Sequence, residues 1–159
     1  HIECIKELLK EDDDYYLIME DDFCILNEDN LKDFFFEFDK IKDDKGWDMI
    51  TLTPRGETVK KNKINNFNQI CECQTTTGYI IKKEFLPILM DVYKEGALGL
   101  MKGYQDPGVN PYCADQCWKP LQKKTTWLYF NKIYGGQLPG YSDIEDRIVD
   151  YNREFLMQK

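Results

Sequence analysis

The stretch YYLIMEDDFCI, residues 15–25, places three carboxylates directly after a short apolar run. Residues 15–19 are apolar and aromatic enough to predict a buried strand, and Glu20, Asp21 and Asp22 then follow at its carboxyl end. In open α/β sheets, ligands bind outside the carboxyl ends of strands. Crowded carboxylates repel one another unless a cation neutralises them. The pattern therefore predicts a cation site here, and the alternative is a solvated acidic turn.

The position of the acids relative to the strand distinguishes these two readings. A second acidic run, EDDD at residues 11–14, precedes the strand, whereas Glu20, Asp21 and Asp22 follow it. Mg²⁺ and Mn²⁺ bind one or two carboxylates and take their remaining ligands from water and substrate phosphates. The second cluster is thus suited to holding such a metal against a diphosphate.

Length and charge limit the classes of protein that fit. A chain of 159 residues predicts one domain. The formal net charge of −8 argues against a nucleic-acid partner, because phosphate binding needs clustered Lys and Arg. The sequence contains neither an apolar run long enough to span a membrane nor a signal peptide, so a cytoplasmic location is expected. Since the chain opens on His1 rather than Met, we expect a piece of a longer protein.

The six cysteines allow three interpretations. They could form a zinc quartet, but the Cys71-x-Cys73 spacing is tighter than zinc pairs normally use. Reduced and mostly buried thiols are the simplest alternative, and disulfides are the third. The six positions are 4, 24, 71, 73, 113 and 117.

Strands alternate with helices along the chain, which favours an α/β layered fold. We expect a helix near residues 2–9, an amphipathic helix at 31–41 capped by Asn30, and a helix near 85–93. A short helix is expected around Asp115, and a last one from Asp143. Strands are expected at 15–19, 47–52, 70–73, 75–81 and 127–130, and surface loops at 53–68, 96–111 and 135–143.

Several segments together resemble one family, glycosyltransferase family 25, which includes lipopolysaccharide-type and procollagen galactosyltransferases. Its relatives include the glycosyltransferase domain of some lysyl hydroxylases. IMEDD resembles the family's carboxylate motif, and His1 looks like the His of its Ser-His segment. The other similar segments, in chain order, are WDMITL at 47–52 followed by Arg55, TTTGYIIKKEFLPILM at 75–90, CADQCWKPL at 113–121 and YSDIE at 141–145.

The resemblance implies a GT-A-like, Rossmann-like mixed sheet flanked by helices. The family carries a first βα unit upstream of the His that helps to hold the nucleotide, and this chain has no counterpart of it. The implied activity is metal-dependent transfer of a sugar from a nucleotide-sugar, a UDP-sugar above all, to a hydroxyl on a glycan or protein, with collagen-like hydroxylysine among the candidates. The implied cofactor is Mn²⁺ or Mg²⁺.

The resemblance also implies roles for individual residues. Asp22 is the expected first metal ligand, with Glu20 or Asp21 beside it, or one of the three instead binds a ribose or sugar hydroxyl. Asp115 is the expected base for the acceptor hydroxyl, and Gln116 beside it is assigned to acceptor binding. An alternative for Asp115 is a helix N-cap.

The donor-binding candidates are Arg55, Tyr79, Ser142 and Asp143. Three of them have an alternative: Arg55 a solvated surface charge, Tyr79 a place in the core, and Ser142 a capping box with Glu145. His1 is a further candidate contact to metal or acceptor. The rival to an enzyme is a non-catalytic remnant of a transferase fold that acts as a binding module. A phosphohydrolase fits poorly, because one histidine leaves few ligands for a second metal.

Overall fold

A computed structural model describes residues 1–26, 28–64, 67–105, 108–142 and 146–151, and for residues 28 and 56–64 it describes the backbone alone. Within these ranges the chain forms a six-stranded mixed sheet with the strand order β1-β6-β3-β7-β5-β4. The strands β3 and β7 are parallel, and every other neighbouring pair in the sheet is antiparallel. The prediction of an α/β fold is confirmed at this level.

The helices are α1 (Ile2–Leu8), α2 (Glu28–Asp39), α3 (Leu86–Met101), α4 (Ala114–Cys117) and α5 (Lys119–Gln122), with one 3₁₀ turn (Lys83–Phe85) before α3. The strands of the main sheet are β1 (Tyr15–Met19), β3 (Met49–Thr51), β4 (Arg55–Ile64), β5 (Phe67–Gln74), β6 (Gly78–Lys82) and β7 (Trp127–Phe130). Two small antiparallel pairs join β2 (Phe23–Ile25) to β8 (Gly135–Gln137), and β9 (Gly140–Ser142) to β10 (Arg147–Val149).

Helices cover both faces of the sheet, and the interior strand β6 alternates its side chains between the two cores. Tyr79 and Ile81 face the core that contains residues of α1, α3 and the segment after α4. Ile80 faces the other core, which is built from aromatic side chains of α2 and the strand β7. Since side chains alternate along a strand, one buried strand serves two apolar layers. All five residues of β6 are accordingly buried.

The prediction of a surface loop at residues 53–68 was wrong. Residues 55–64 form the strand β4, which pairs with β5 in an antiparallel hairpin whose register shifts at several points. β4 is the last strand in the sheet order, and edge strands of natural proteins commonly carry lysines and bulges that block further pairing. The polar composition that suggested a loop is therefore compatible with an edge strand.

Three helix boundaries also differ from the sequence expectation. Asn30 lies inside α2, which begins at Glu28, and is not its cap. The helix α3 continues through Gly96 and Gly99, because Tyr112 and Cys117 pack closely against these glycines. A final helix from Asp143 is replaced by the strand β10, which pairs with β9 after Asp146 turns the chain with a φ of 50°. Residues 143–145 and 152–159 lie outside the described residues.

The cysteines and the membrane expectation can also be compared with the structure. All six cysteines are free, so neither a disulfide nor a zinc quartet forms among them. No helix in the described part of the chain combines the length and the apolar character needed to cross a bilayer.

Side chains of the segment α4–α5 fix it to the strand β5, because they form hydrogen bonds with the β5 backbone as a neighbouring strand would. Gln122 is fully buried; its Oε1 accepts from the Cys73 backbone N–H at 2.7 Å, and its Nε2 donates to the Cys73 carbonyl at 2.9 Å. Trp118 Nε1 donates to the same carbonyl at 3.1 Å. These bonds satisfy backbone groups that would otherwise be buried without partners, and they place α4 against the end of β5.

Replacing Gln122 with Met should lower the free energy of unfolding by about 1–3 kcal/mol, because the buried N–H of Cys73 would lose its partner. Chemical denaturation measures this change. The matched control is Gln105→Met at an exposed position, where we expect about 0.5 kcal/mol or less. Equal effects of the two variants would contradict the role assigned to Gln122.

Candidate functional site

Two backbone hydrogen bonds fix the path of the chain from the end of β1 into the acidic segment. The Glu20 backbone N–H donates to the Thr77 carbonyl at 2.8 Å, which continues the β1–β6 pairing by one residue. Phe23 N–H then donates to the Glu20 carbonyl at 3.1 Å and closes a turn around the acids. The predicted strand at residues 15–19 is confirmed in its bounds, and the acids lie at its carboxyl end. The prediction that it is buried was wrong, because β1 is an edge strand whose Leu17 and Met19 are 44% and 52% exposed.

Glu20 is held through one carboxylate oxygen by two donors. Thr76 Oγ1 donates to Glu20 Oε1 at 2.6 Å, and His1 Nε2 lies 3.0 Å from the same oxygen. The His1 ring is itself positioned by Tyr79, whose hydroxyl lies 3.1 Å from His1 Nδ1. The side chain of Glu20 is about one-third exposed, and its Oε2 has no partner among the described residues.

Asp22 also has one bonded oxygen, but its other oxygen is buried without a partner. Its Oδ2 accepts from Gln137 Nε2 at 2.5 Å, and its backbone carbonyl accepts from Leu138 N–H at 2.7 Å. Its Oδ1 is buried and has no hydrogen-bond partner in the described part of the chain. A buried carboxylate oxygen without a partner is costly unless a cation or a donor satisfies it.

Two glycines allow the turn to pack down on the sheet. The Phe23 ring lies so close to Gly78 and Gly135 that a Cβ at either position would be about 2.5–2.6 Å from ring carbons. Both positions therefore accommodate the ring because they lack a side chain. Phe23 also pairs with Gln137 across β2 and β8, which brings the amide of Gln137 to Asp22. The neighbours of Asp22 thus come from a segment more than 100 residues away in the sequence.

Asp21 differs from its two neighbours because it is exposed. Across residues 1–26, 28–64, 67–105, 108–142 and 146–151, no three His, Cys, Asp or Glu side chains converge closely enough to hold a metal ion by themselves. The three consecutive acids therefore do not form a cage. A cation at Asp22 would need ligands from water or from a substrate in addition to the protein.

Asp115 and Gln116 lie on the short helix α4, as predicted. The N-cap of α4 is Cys113, so the alternative that Asp115 caps this helix was wrong. Asp115 is half-buried in the first turn, and the neighbouring Gln116 Nε2 donates to Gln74 Oε1 at 2.9 Å. Gln74 is the last residue of β5, two residues before Thr76.

The chain between β5 and β6 therefore contacts both parts of the predicted site, the acidic residues 20–22 and the helix α4. Through Gln74 it contacts Gln116 on α4, and through Thr76 it contacts Glu20 at the end of β1. Thr75 has a φ of 89°, an uncommon conformation for a β-branched residue. The motif near residue 20 and the motif near residue 115 thus both contact residues 74–76, a link that no local pattern shows.

The donor-binding candidates occupy different environments. Arg55 is in register with Gln74 across β4 and β5, and its guanidinium lies 4.6 Å from the centre of the Tyr151 ring. Ser142 pairs with Arg147 at the end of β9, a few residues after the contacts to Asp22. Asp143 and the predicted capping residue Glu145 lie outside the described residues.

Tyr79 lies in the core and reaches the site only through its hydroxyl. Its ring is fully buried and packs edge-on against Trp118, with ring centres 5.9 Å apart. Burial raises the pKa of Tyr79 well above its ordinary value, so the hydroxyl keeps its proton at neutral pH. The described residues therefore place His1 between Tyr79 and the acidic segment.

Sequence reasoning missed Thr76, Gln74 and Gln137. Thr76 belongs to the quoted TTTGYII segment, which was interpreted only as a strand, although a run of hydroxyl residues before a strand is also a hydrogen-bonding signal. Gln74 and Gln137 carry no signal in a single sequence, because their contacts depend on how distant strands pair.

Comparisons with known proteins leave the family open. No protein-family model matches the chain, and a search of curated proteins gave no significant match.

Proposed function

We propose that this chain is a metal-dependent glycosyltransferase with a GT-A-like fold, which moves a sugar from a nucleotide-sugar, a UDP-sugar above all, to a hydroxyl on a glycan or protein. The observation that carries the proposal is the buried, unpartnered Oδ1 of Asp22 at the carboxyl end of a strand, next to the anchored carboxylate of Glu20. The motif resemblance around residues 20, 55, 79, 115 and 142 supplies the reaction class.

The oxygen ligands suit Mn²⁺ or Mg²⁺ better than a softer metal. Asp22 Oδ1 would hold the ion, and Glu20 Oε2 or the exposed Asp21 lies within the same turn. Such ions commonly bind one or two protein carboxylates and complete their coordination with water and phosphate oxygens. When bound, the ion neutralises charge on the leaving diphosphate.

The remaining residues have separate tasks. Glu20 Oε2 can accept a hydrogen bond from a ribose or sugar hydroxyl, while its Oε1 is held by Thr76 and His1. Asp115 takes the proton of the acceptor hydroxyl, since a neutral sugar hydroxyl is a poor nucleophile. Gln116 contributes to acceptor binding beside it. Arg55 and Ser142 bind the donor phosphates or ribose.

The Asp22→Asn variant should lose Mn²⁺-dependent binding of UDP, because the neutral amide is a weak ligand for a hard cation. Its melting temperature should stay the same or rise, since the unpartnered buried oxygen no longer carries carboxylate charge. Calorimetric titration of UDP with and without Mn²⁺, together with a thermal melt, measures both effects. The matched control is Asp13→Asn in the first acidic run, which should bind UDP as the original chain does. A large loss of stability without loss of UDP binding would make Asp22 a structural residue.

The Asp115→Asn variant should reduce Mn²⁺-stimulated cleavage of a UDP-sugar by about 100-fold or more, with little change in affinity for UDP. The reason is that the base acts on the acceptor hydroxyl and does not contact the donor. The release of UDP gives the rate, and Asp91→Asn on the exposed face of α3 is the control. An unchanged rate in the variant would remove Asp115 from the mechanism. If the original chain binds UDP but does not cleave a UDP-sugar, the non-catalytic binding module is favoured.

A further inference from the structure

The contacts around Glu20 form a chain that starts in the core and ends at the candidate site. Tyr79 is fully buried, its hydroxyl contacts His1 Nδ1 at 3.1 Å, and His1 Nε2 contacts Glu20 Oε1 at 3.0 Å. The His1 ring also packs against Tyr93, with ring centres 5.3 Å apart. The imidazole is thus fixed by two aromatic residues that belong to different elements, β6 and α3.

The direction of the hydrogen bonds follows from which atoms carry protons. A tyrosine hydroxyl that keeps its proton can donate to Nδ1, and a neutral imidazole carries its proton on the other nitrogen. His1 Nε2–H then donates to Glu20 Oε1, the same oxygen that accepts from Thr76 Oγ1. Both donors approach Oε1, which fixes the orientation of the carboxylate and leaves Oε2 as its other oxygen.

We propose that His1 is a positioning residue of the nucleotide-sugar site, which holds Glu20 so that Oε2 faces the ligand. This inference rests on the proposed function, because it assigns His1 a task in binding that ligand. Without His1, Thr76 alone would hold Oε1, and one hydrogen bond leaves the carboxylate free to rotate. The Glu20 side chain would then have to become ordered when the ligand binds, and this loss of conformational entropy would weaken binding.

A purely structural role for His1 predicts different behaviour. A residue that only fills space at the start of α1 would change stability when replaced, but the folded fraction would bind ligand as before. A positioning residue changes affinity in the folded protein. It also has a spectroscopic signature, since the nitrogen signals of the imidazole report the hydrogen bonds that Glu20 and Tyr79 make to the two ring nitrogens.

The first measurement is ¹⁵N NMR of the imidazole at about pH 8, where histidine is ordinarily neutral. The chain contains one histidine, so the ring signals need no assignment. We expect the proton on Nε2 in the original chain and in Tyr79→Phe, because Glu20 accepts from it, and a shift of the Nδ1 signal in Tyr79→Phe, which removes the donor to that nitrogen. Tyr112→Phe, at a half-exposed position, is the matched control and should leave the spectrum unchanged. A proton on Nδ1 in the original chain would overturn the proposal.

The second measurement is the affinity for UDP in the presence of Mn²⁺, determined on folded protein at a temperature well below the melting transition. His1→Ala should weaken binding by about tenfold, the usual effect of losing a hydrogen bond to a charged group. His1→Gln keeps an N–H donor and should restore affinity to within about threefold of the original.

The binding measurements distinguish a failure of the positioning role of His1 from a failure of the proposed function. If the original chain binds UDP and Asp22→Asn does not, but His1→Ala binds as tightly as the original, the positioning role is wrong and the proposed function stands. If the original chain does not bind UDP with Mn²⁺, the proposed function fails, and the role of His1 fails with it.

Discussion

The hydrogen bond from the Glu20 backbone to the Thr77 carbonyl is the interaction on which the rest of the site depends. It extends the β1–β6 pairing by one residue beyond the strand, and so it fixes where the acidic segment leaves the sheet. On one side of that point the β5–β6 connection supplies Thr76 to Glu20. On the other side the turn leads to Phe23, whose ring packs against two glycines and fixes the next strand.

The three consecutive acids have different physical environments in spite of their shared charge. Glu20 is satisfied through one oxygen, Asp21 is exposed, and Asp22 has one bonded and one unpartnered buried oxygen. Charge in a sequence predicts only that a cation would be favourable near such a cluster. Backbone geometry decides which carboxylate can bind the cation, because adjacent side chains in a turn point in different directions.

The sequence predicted α1 and β7 because their apolar residues are those that the fold buries. It predicted the bounds of β1 from an apolar run, although Leu17 and Met19 of that run are exposed at the edge of the sheet. It missed β4, because an edge strand with one neighbour carries polar residues that are also typical of loops. It misplaced the end of α3, because Gly96 and Gly99 are tolerated there only through their packing against residues of the following segment. The acidic segment and α4 were identified from local motifs. Their connection through Gln74 and Thr76 depends on tertiary pairing and has no local signal.

The central claim is that Asp22 holds a divalent cation against a nucleotide diphosphate. Crystals of the chain grown with Mn²⁺ and UDP would test it by anomalous diffraction at the manganese absorption edge. The account predicts one strong peak in contact with Asp22 Oδ1 and with phosphate oxygens of UDP. A manganese peak at the first acidic run, or UDP bound away from residues 20–22, would contradict it.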